Sequence, residues 1–400
     1  METLYFDHAA YTPLEPAALE AMAEVSRGSW GNPESLHTAG RRSYAALQEA
    51  RAAIGSFLDV DPTELHFFAS ATEALRVAVS ALSLHRSGLL VSSSVEHPGL
   101  AEVVESRRRS GQPCQLLDAP AGDLDVSAAT RVVERADVVA LSACNHELGT
   151  APGLRELMKQ SPSAHWIIDA VQAAPWLELR ELFDARSCVV IGSSKLGGPP
   201  GIAALRVPHQ LRYVIEQLEA QRGSPPSWLL AIGFAAAVRA REAEQSRGKR
   251  LARARLVGAA LLDGLRQLAP TLVHNAGETW LGPIVNVSVP GVSAEAFEHA
   301  LDLHGVAVSR VAACRQRAEQ DSRIVRHAFP TQPWRASTST RWSVGHQTTL
   351  EDVREALTRT REVLASLRPG EPAAAEKSGA LLTTLAPLPT SSFEESSRGH

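Results

Sequence analysis

The chain has 400 residues, 44% of them hydrophobic and 21% charged, and a net charge of −4 from interspersed residues of both signs. This composition is typical of globular proteins and favours neither nucleic acid nor a membrane surface as a partner. The sequence has no apolar run of membrane-spanning length, no signal-peptide pattern, and no disulfide or metal-ligand grouping among its four cysteines. We therefore expect a metal-free cytoplasmic protein with one large and one smaller domain.

Apolar runs of strand length recur in the first half of the chain, and segments with helical periodicity lie between most of them. In chain order the runs are ELHFFA (64–69), GLLVS (88–92), CQLLD (114–118), DVVALSA (137–143), HWIIDA (165–170), SCVVIG (187–192) and GIAALRV (201–207). Strands that alternate with helices predict an α/β fold with a mostly parallel sheet that is covered on both faces.

The second half of the chain begins with a helical stretch from 208 to about 268. A second strand–helix group follows, made of PIVNVSV, AEAFEHALDLHG, VAVSR and TRWSVG. A last helix over 350–367 begins where Thr349 and Asp352 resemble a capping box. We expect a large cofactor-binding domain over 13–248, a small domain from 1–12 and 249–368, and a disordered tail over 369–400, which is rich in Pro, Ser, Ala and Glu.

Polar residues follow several of the strands, and in open α/β sheets the ligand lies beyond the carboxyl ends of the strands. In chain order they are Thr72 with Glu73, His97, Asn145 with His146 and Glu147, Asp169, and Lys195. Their convergence at one edge of the sheet is stronger support for a binding site than any one of them alone.

The chemistry of three of these residues favours one cofactor. Lys195 is one of four lysines among 40 basic residues, and an amine can form a Schiff base whereas a guanidinium cannot; a solvated turn lysine is the alternative. A buried Asp169 needs a cationic partner such as a ring nitrogen. Thr72 is either a plain N-cap or a phosphate ligand at a helix start. Together they indicate pyridoxal phosphate, and no GxGxxG motif supports a dinucleotide instead.

From about residue 4 to 367 the sequence resembles the cysteine desulfurases of the class V aminotransferase family, of the iron–sulfur-cluster and nitrogenase-assembly type. The resemblance implies a fold type I pyridoxal-phosphate enzyme. The matching segments are YFDHAAYTP, GNPES followed by His37, ASATEA, VEHPG, NHELG, DAVQ, SSKLGGPPGIAAL, VSRVAACRQ and RWSVG.

The resemblance also implies roles for individual residues. Lys195 would carry the cofactor, His97 would stack on its ring and move protons, and Cys314 would be the nucleophile, on a loop expected from Arg310 to about Thr338. The expected cofactor-binding residues are Ala71, Thr72, His97, His146, Asp169, Gln172, Ser193 and Lys195. Asn145 and Arg341 would bind the substrate, Arg341 through its carboxylate.

Four positions depart from the family pattern. Ser194 replaces a histidine, and Gly192 replaces a phosphate-contacting serine whose hydroxyl Ser193 would supply. His146 replaces an asparagine that faces the cofactor. Pro225 replaces a threonine that reaches the partner subunit's phosphate, and proline offers neither a hydroxyl nor an N–H.

The predicted function is that of a homodimeric cysteine desulfurase, which converts L-cysteine to L-alanine, keeps the sulfur as a persulfide on Cys314 and passes it to an acceptor protein. One alternative keeps the cofactor but changes the reaction, to a selenocysteine or other C–S lyase or an aminotransferase. A second alternative is a sulfur-transfer scaffold with weakened catalysis.

Overall fold

The computed structural model describes residues 3–28, 31–85, 88–221, 227–244, 246–310 and 321–367. The predictions for Pro225, Cys314 and the tail over 369–400 lie outside these residues. The strands are β1 (Leu4–Tyr5), β2 (Leu65–Phe68), β3 (Leu90–Ser93), β4 (Cys114–Leu117), β5 (Val138–Ser142), β6 (His165–Asp169), β7 (Ser187–Gly192), β8 (Ala203–Arg206), β9 (Val273–His274), β10 (Ile284–Ser288), β11 (Val306–Ala307) and β12 (Ser339–Ser343).

Helices lie between most of these strands. They are α1 (Pro16–Gly28), α2 (Thr38–Leu58), α3 (Ala71–His85), α4 (Pro98–Arg109), α5 (Val126–Val133), α6 (Leu154–Gln160), α7 (Arg212–Ala220), α8 (Trp228–Glu244), α9 (Arg247–Leu268), α10 (Ala294–Leu303), α11 (Arg323–Ala328), α12 (Trp334–Thr338) and α13 (Leu350–Leu367). The capping box predicted for α13 is confirmed, because Thr349 Oγ1 accepts from the Asp352 N–H at 3.1 Å and Asp352 Oδ2 accepts from the Thr349 N–H at 2.8 Å. Helices α11 and α12 correct the expectation of a loop as far as Thr338.

The large sheet has the strand order β2-β8-β7-β6-β5-β3-β4. Strands β4, β3, β5, β6 and β7 are parallel, whereas β8 runs antiparallel to both β7 and β2. Successive residues of these strands belong to different hydrophobic clusters: Val139 and Ile168 to one, Ile167 and Val190 to the other. The sheet is therefore buried on both faces, as its near-continuous apolar strands predicted.

The second part of the core lies around two small sheets. One is antiparallel with the order β12-β10-β9, and the other pairs β1 with β11 in parallel. Phe6 from the N-terminus packs edge-on against Trp342 with ring centroids 5.8 Å apart, so N-terminal residues join the C-terminal part of the chain. The domain boundaries stay a prediction, and the one at 248/249 falls in the first turn of α9.

Within the ranges described above, no helix combines the length and the apolar character that crossing a bilayer requires.

Candidate active site

A cavity of about 250 Å³ lies at the carboxyl edge of the large sheet. Strands β2, β3, β5, β6 and β7 run in the same direction, so the residues that follow them meet at this edge. The lining includes Ala71, Thr72, His97, Ser142, His146, Asp169, Gln172, Ser194 and Lys195 from these strand ends, with Arg341 of β12 and residues 9–11 of the N-terminal segment. The structure thus brings most of the predicted site residues together.

Asp169 is a buried acid at the end of β6. Its Oδ1 accepts from the Val171 N–H at 3.1 Å. Burial raises its pKa to about 6, although the Val171 hydrogen bond and the charge of Lys195 act in the opposite direction. The carboxyl lies in a place that favours its neutral form, and a cationic group in the cavity would restore its charge.

Lys195 ends a 3₁₀ turn, Ser193–Lys195, directly after β7. Its Nζ donates to the Ala10 carbonyl, and the Thr12 hydroxyl donates to the Lys195 carbonyl at 3.3 Å. Two residues later Gly197 has φ +76°, and a Cβ there would lie 2.7 Å from Glu15 Cγ. The glycines after the lysine therefore let the chain turn closely beneath it.

Two histidines form one wall of the cavity. His97 caps α4, and its Nδ1 accepts from the Gly99 N–H at 3.0 Å, which leaves the proton of a neutral ring on Nε2. The His97 and His146 rings lie edge to face, with centroids 4.8 Å apart.

His146 is a buried, neutral imidazole. Burial lowers its pKa well below the usual value, and the nearby positive charges of Arg341 and Lys195 add to the effect. Neither of its ring nitrogens has a hydrogen-bond partner among the described residues. The Glu147 carboxylate lies 3.7 Å from His146 Nε2, which is too long for a hydrogen bond. The ring can therefore offer one donor and one acceptor to a ligand.

The start of α3 faces the same cavity. Ser70 Oγ accepts from the Glu73 N–H at 3.1 Å, and the Glu73 side chain accepts from the Ala69 N–H at 2.9 Å. Ser70 is thus the residue that caps the helix, which answers the open question about Thr72, whose side chain contributes to the cavity wall. A helix start with a hydroxyl beside it suits an anion such as phosphate.

Gln172 and Arg341 complete the lining. Gln172 Nε2 donates to the Ala9 carbonyl at 2.7 Å. The Arg341 side chain is only 2% exposed and donates from Nη1 to the His146 carbonyl at 3.0 Å and from Nη2 to Asp7 Oδ1 at 2.9 Å. A buried guanidinium held in this way is suited to bind a carboxylate.

Two residues predicted to belong to the site do not line the cavity. Ser193 is fully buried against Gly198, and Ser194 lines the cavity in its place. The Asn145 side chain is committed to the backbone: it donates to the Val95 carbonyl at 2.9 Å and accepts from the N–H groups of Glu147 and Leu148. The Ser193 hydroxyl has no hydrogen-bond partner among the described residues. The roles of Ser193 toward the cofactor and of Asn145 toward the substrate stay predictions.

Glu96 is a buried acid behind the cavity that the sequence analysis did not single out. It accepts from the hydroxyls of Ser93 and Ser142 and from the Ser142 N–H at 3.0 Å. Burial raises its pKa to about 7. Through these bonds Glu96 connects the ends of β3 and β5. In the sequence, its position directly before His97 was the one feature that could have pointed to a role at the site. The described residues contain no group of three or more side chains that would hold a metal ion.

The described residues on both sides of 311–320 touch this site. Ser309 exchanges backbone hydrogen bonds of 3.1 and 2.6 Å with Arg341. On the other side, Arg323 donates to the carbonyls of Ser94 and Glu96 at 2.9 and 2.5 Å, and Ser322 donates to Glu147 at 2.5 Å. The residues before this segment are thus attached to a lining residue of the cavity, and those after it to the immediate sequence neighbours of the lining residues His97 and His146.

Comparison with known proteins agrees with the predicted relationship. The family profile described as "Aminotransferase class-V" matches residues 4–356. A Mycobacterium tuberculosis protein named "IscS-like cysteine desulfurase" is 30% identical over 375 residues, which cover 88% of this chain and 94% of the relative. The Bacillus subtilis "Putative cysteine desulfurase IscS 1" is 27% identical over 380 residues, which cover 92% of this chain and 100% of the relative.

Solved structures of similar shape confirm the predicted fold. One is titled "NifS-like protein": it has a TM-score of 0.80 at 21% identity and covers 91% of this chain and 100% of its own. Another is the apo structure of a cysteine desulfurase from Thermococcus onnurineus NA1, with a TM-score of 0.78 at 19% identity, and it covers 91% of this chain and 95% of its own.

Proposed function

Because the chain belongs to the class-V aminotransferase family, we propose that it is a pyridoxal-phosphate-dependent cysteine desulfurase that converts L-cysteine to L-alanine. The observation that carries the proposal is the meeting of Lys195, Asp169, His97 and Arg341 around one cavity at the sheet edge. Relatives named as cysteine desulfurases match nearly their whole length to this chain, which supports the same reaction.

The cavity fits the cofactor on several independent grounds. Its volume of about 250 Å³ is close to the lower end of small-ligand pockets, which begin at about 300 Å³. Burial raises the pKa of Asp169, so its charged form needs a cationic partner, and a protonated pyridine nitrogen would be one. The ring nitrogens of His146, which have no partner among the described residues, suit a phenolic oxygen. The helix start at Thr72 suits a phosphate. Lys195 supplies the amine that would hold the cofactor covalently.

When bound, pyridoxal phosphate supplies an electron sink for bond breaking at the amino acid. Asp169 would keep the proton on the ring nitrogen, and Gln172 and His146 would hold the phenolic oxygen. Arg341 would bind the α-carboxylate of the substrate. The Nδ1 of His97 accepts from the Gly99 N–H, so Nε2 is the ring nitrogen that would carry a proton to or from the substrate.

We assign the sulfur-accepting role to Cys314. In the sequence it lies close to Arg310, Arg315 and Arg317, and positive charge favours the thiolate. Cys314 lies five residues after Ser309, which is paired with Arg341 at the cavity, and five residues of extended chain span at most about 18 Å. The Cys314 thiolate would attack the substrate sulfur, so that an S–S bond forms as the carbon–sulfur bond breaks. The electron pair of the broken bond would stay with the carbon, which takes up a proton to give alanine, and a thiol of an acceptor protein would then take the outer sulfur of the persulfide and release the Cys314 thiolate.

A homodimer is part of the same proposal, whereas the cytoplasmic location stays a prediction. The cofactor assignment is tested by borohydride reduction of the cofactor-loaded protein and peptide mapping. We expect the pyridoxyl group on Lys195, no label in Lys195→Arg, and full label in the matched control Lys159→Arg, whose lysine makes a surface ion pair with Glu156. A label on Lys159 or Lys249 would disprove the assignment.

A further inference from the structure

The N-terminal segment contributes a side chain to the carboxylate-binding arginine. Asp7 Oδ1 accepts from Arg341 Nη2 at 2.9 Å, and the two residues are 334 positions apart in the sequence. The Asp7 side chain is 18% exposed and that of Arg341 is 2% exposed. This is a nearly buried ion pair, a class in which the removal of one partner leaves an uncompensated charge.

The backbone holds Asp7 firmly beside the arginine. Asp7 forms a bridge with Ser343, two residues after Arg341 on β12, and the Ser343 N–H donates to the Phe6 carbonyl at 2.6 Å. The single proton of the Tyr5 hydroxyl is shared between the carbonyls of Tyr11 and Asp7, at 2.8 and 3.2 Å. Burial raises the pKa of Tyr5 to about 12, so the phenol keeps its proton for these bonds. The backbone of Asp7 is thus held beside β12, which places its carboxylate next to Arg341.

The Arg341 guanidinium keeps donors for a second carboxylate. A guanidinium has N–H groups on three nitrogens, and in Arg341 one acceptor occupies Nη1 and one occupies Nη2. Its Nε has no partner within the described part of the chain. Asp7 and a substrate carboxylate can therefore bind the same guanidinium at once, without competing for one N–H.

We propose that Asp7 is a positioning residue, which holds Arg341 in the orientation that binds the α-carboxylate of the amino-acid substrate. The inference rests on the proposed function. Asp7 acts through Arg341 and contacts no reacting atom. An ordered guanidinium loses less side-chain entropy when the substrate binds, so Asp7 contributes to substrate affinity and leaves the chemical step unchanged.

The test compares Asp7→Asn and Asp7→Ala with wild type in the full-length, cofactor-loaded protein. Asp184→Asn is the matched control, because Asp184 also pairs with an arginine, at 2.7 Å, but lies outside the cavity lining. The measurements are KM and kcat for L-cysteine, cofactor content, and the binding of L-alanine, followed by the visible absorbance of the cofactor.

In Asp7→Asn we expect the KM for L-cysteine and the dissociation constant for L-alanine to rise by about tenfold, with kcat and cofactor content within about twofold of wild type. Asp7→Ala should show the larger effect, and Asp184→Asn none. An unchanged or lower KM in Asp7→Asn, or a fall in kcat and cofactor content with KM unchanged, would overturn the proposal. A wild type that binds L-alanine but releases no sulfide would overturn the proposed desulfurase reaction alone, because L-alanine binding still tests Asp7.

Discussion

Asp169 should have opposite effects on the stability of the protein and on its function. In the cofactor-free protein the carboxyl is buried, and its pKa is raised from 3.8 to about 6. Above pH 6 the folded state must hold a charge that burial disfavours, and this cost disappears as the pH falls towards 3.8. Asp169→Asn removes the charge and keeps an oxygen that can accept from the Val171 N–H. We therefore expect the variant to be more stable than wild type when the cofactor is absent.

The size of the effect follows from the pKa. A shift of about two units corresponds to about 3 kcal/mol in the free energy of unfolding at pH 7.5, and about half of that at pH 5. If the new amide N–H₂ group has no hydrogen-bond acceptor, the increase in the free energy of unfolding is smaller by about 1 kcal/mol or more. A stabilisation of about 1–3 kcal/mol at pH 7.5 that shrinks at pH 5 is the expected result.

Urea denaturation of the cofactor-free proteins at both pH values measures this difference, with Asp184→Asn as the control for loss of an aspartate charge in a more exposed ion pair. Titration with pyridoxal phosphate should show the opposite effect, because the variant lacks the partner of the ring nitrogen and binds the cofactor more weakly. A cofactor-free variant that is less stable than wild type, or equally stabilised at both pH values, would refute the reasoning.

Two further predictions concern a pair of buried histidines and the two serines that follow β7. Burial lowers the pKa of His8 to about 4 and that of His346 to about 3, whereas both have a pKa of 6.5 in the unfolded chain. Above about pH 6.5 both rings are neutral in either state, and the free energy of unfolding is not reduced. As the pH falls below 6.5 the unfolded chain takes up protons first, so the folded state loses stability. The acid-induced loss of stability should be smaller in His346→Asn than in wild type, and equal urea midpoints at every pH would contradict this. Ser194→Ala should weaken pyridoxal-phosphate binding more than Ser193→Ala does, since of these two serines only Ser194 lines the cavity; the reverse order would support Ser193 as the hydroxyl that contacts the cofactor.

The strands and most of the site were predictable because they depend on short-range patterns. Each strand of the large sheet gave an apolar run, and a polar residue after such a run, as at Asp169, marks the edge where parallel strands end. His97 and Lys195 were found in the same way. The same rule applies to Asp7, which follows the apolar run LYF, but its partner Arg341 lies at the other end of the chain and no local pattern connects them.

The sequence could not predict which side chains face the cavity where a single turn decides their direction. Ser193 and Ser194 are neighbours in a 3₁₀ turn, and the rotation of that turn determines which hydroxyl reaches the cavity. Asn145 looked available for a substrate, yet its amide satisfies backbone groups that the turn after β5 leaves without partners. Helix α11 packs Ile324 and Val325 against the segment before His97, a contact that a polar-looking stretch did not reveal.

The reaction itself is tested most directly by measuring alanine and sulfide released from L-cysteine by wild type and by Cys314→Ser, with reductant present to discharge the persulfide. Cys188→Ser is the matched control, since burial raises the pKa of the Cys188 thiol to about 12, which makes it a poor nucleophile, and the residue lies outside the cavity lining. We expect equal amounts of alanine and sulfide from wild type and from the control. Cys314→Ser should give neither product, although its cofactor absorbance should still change when L-cysteine is added. Sulfide release from Cys314→Ser at the wild-type rate would contradict the persulfide mechanism.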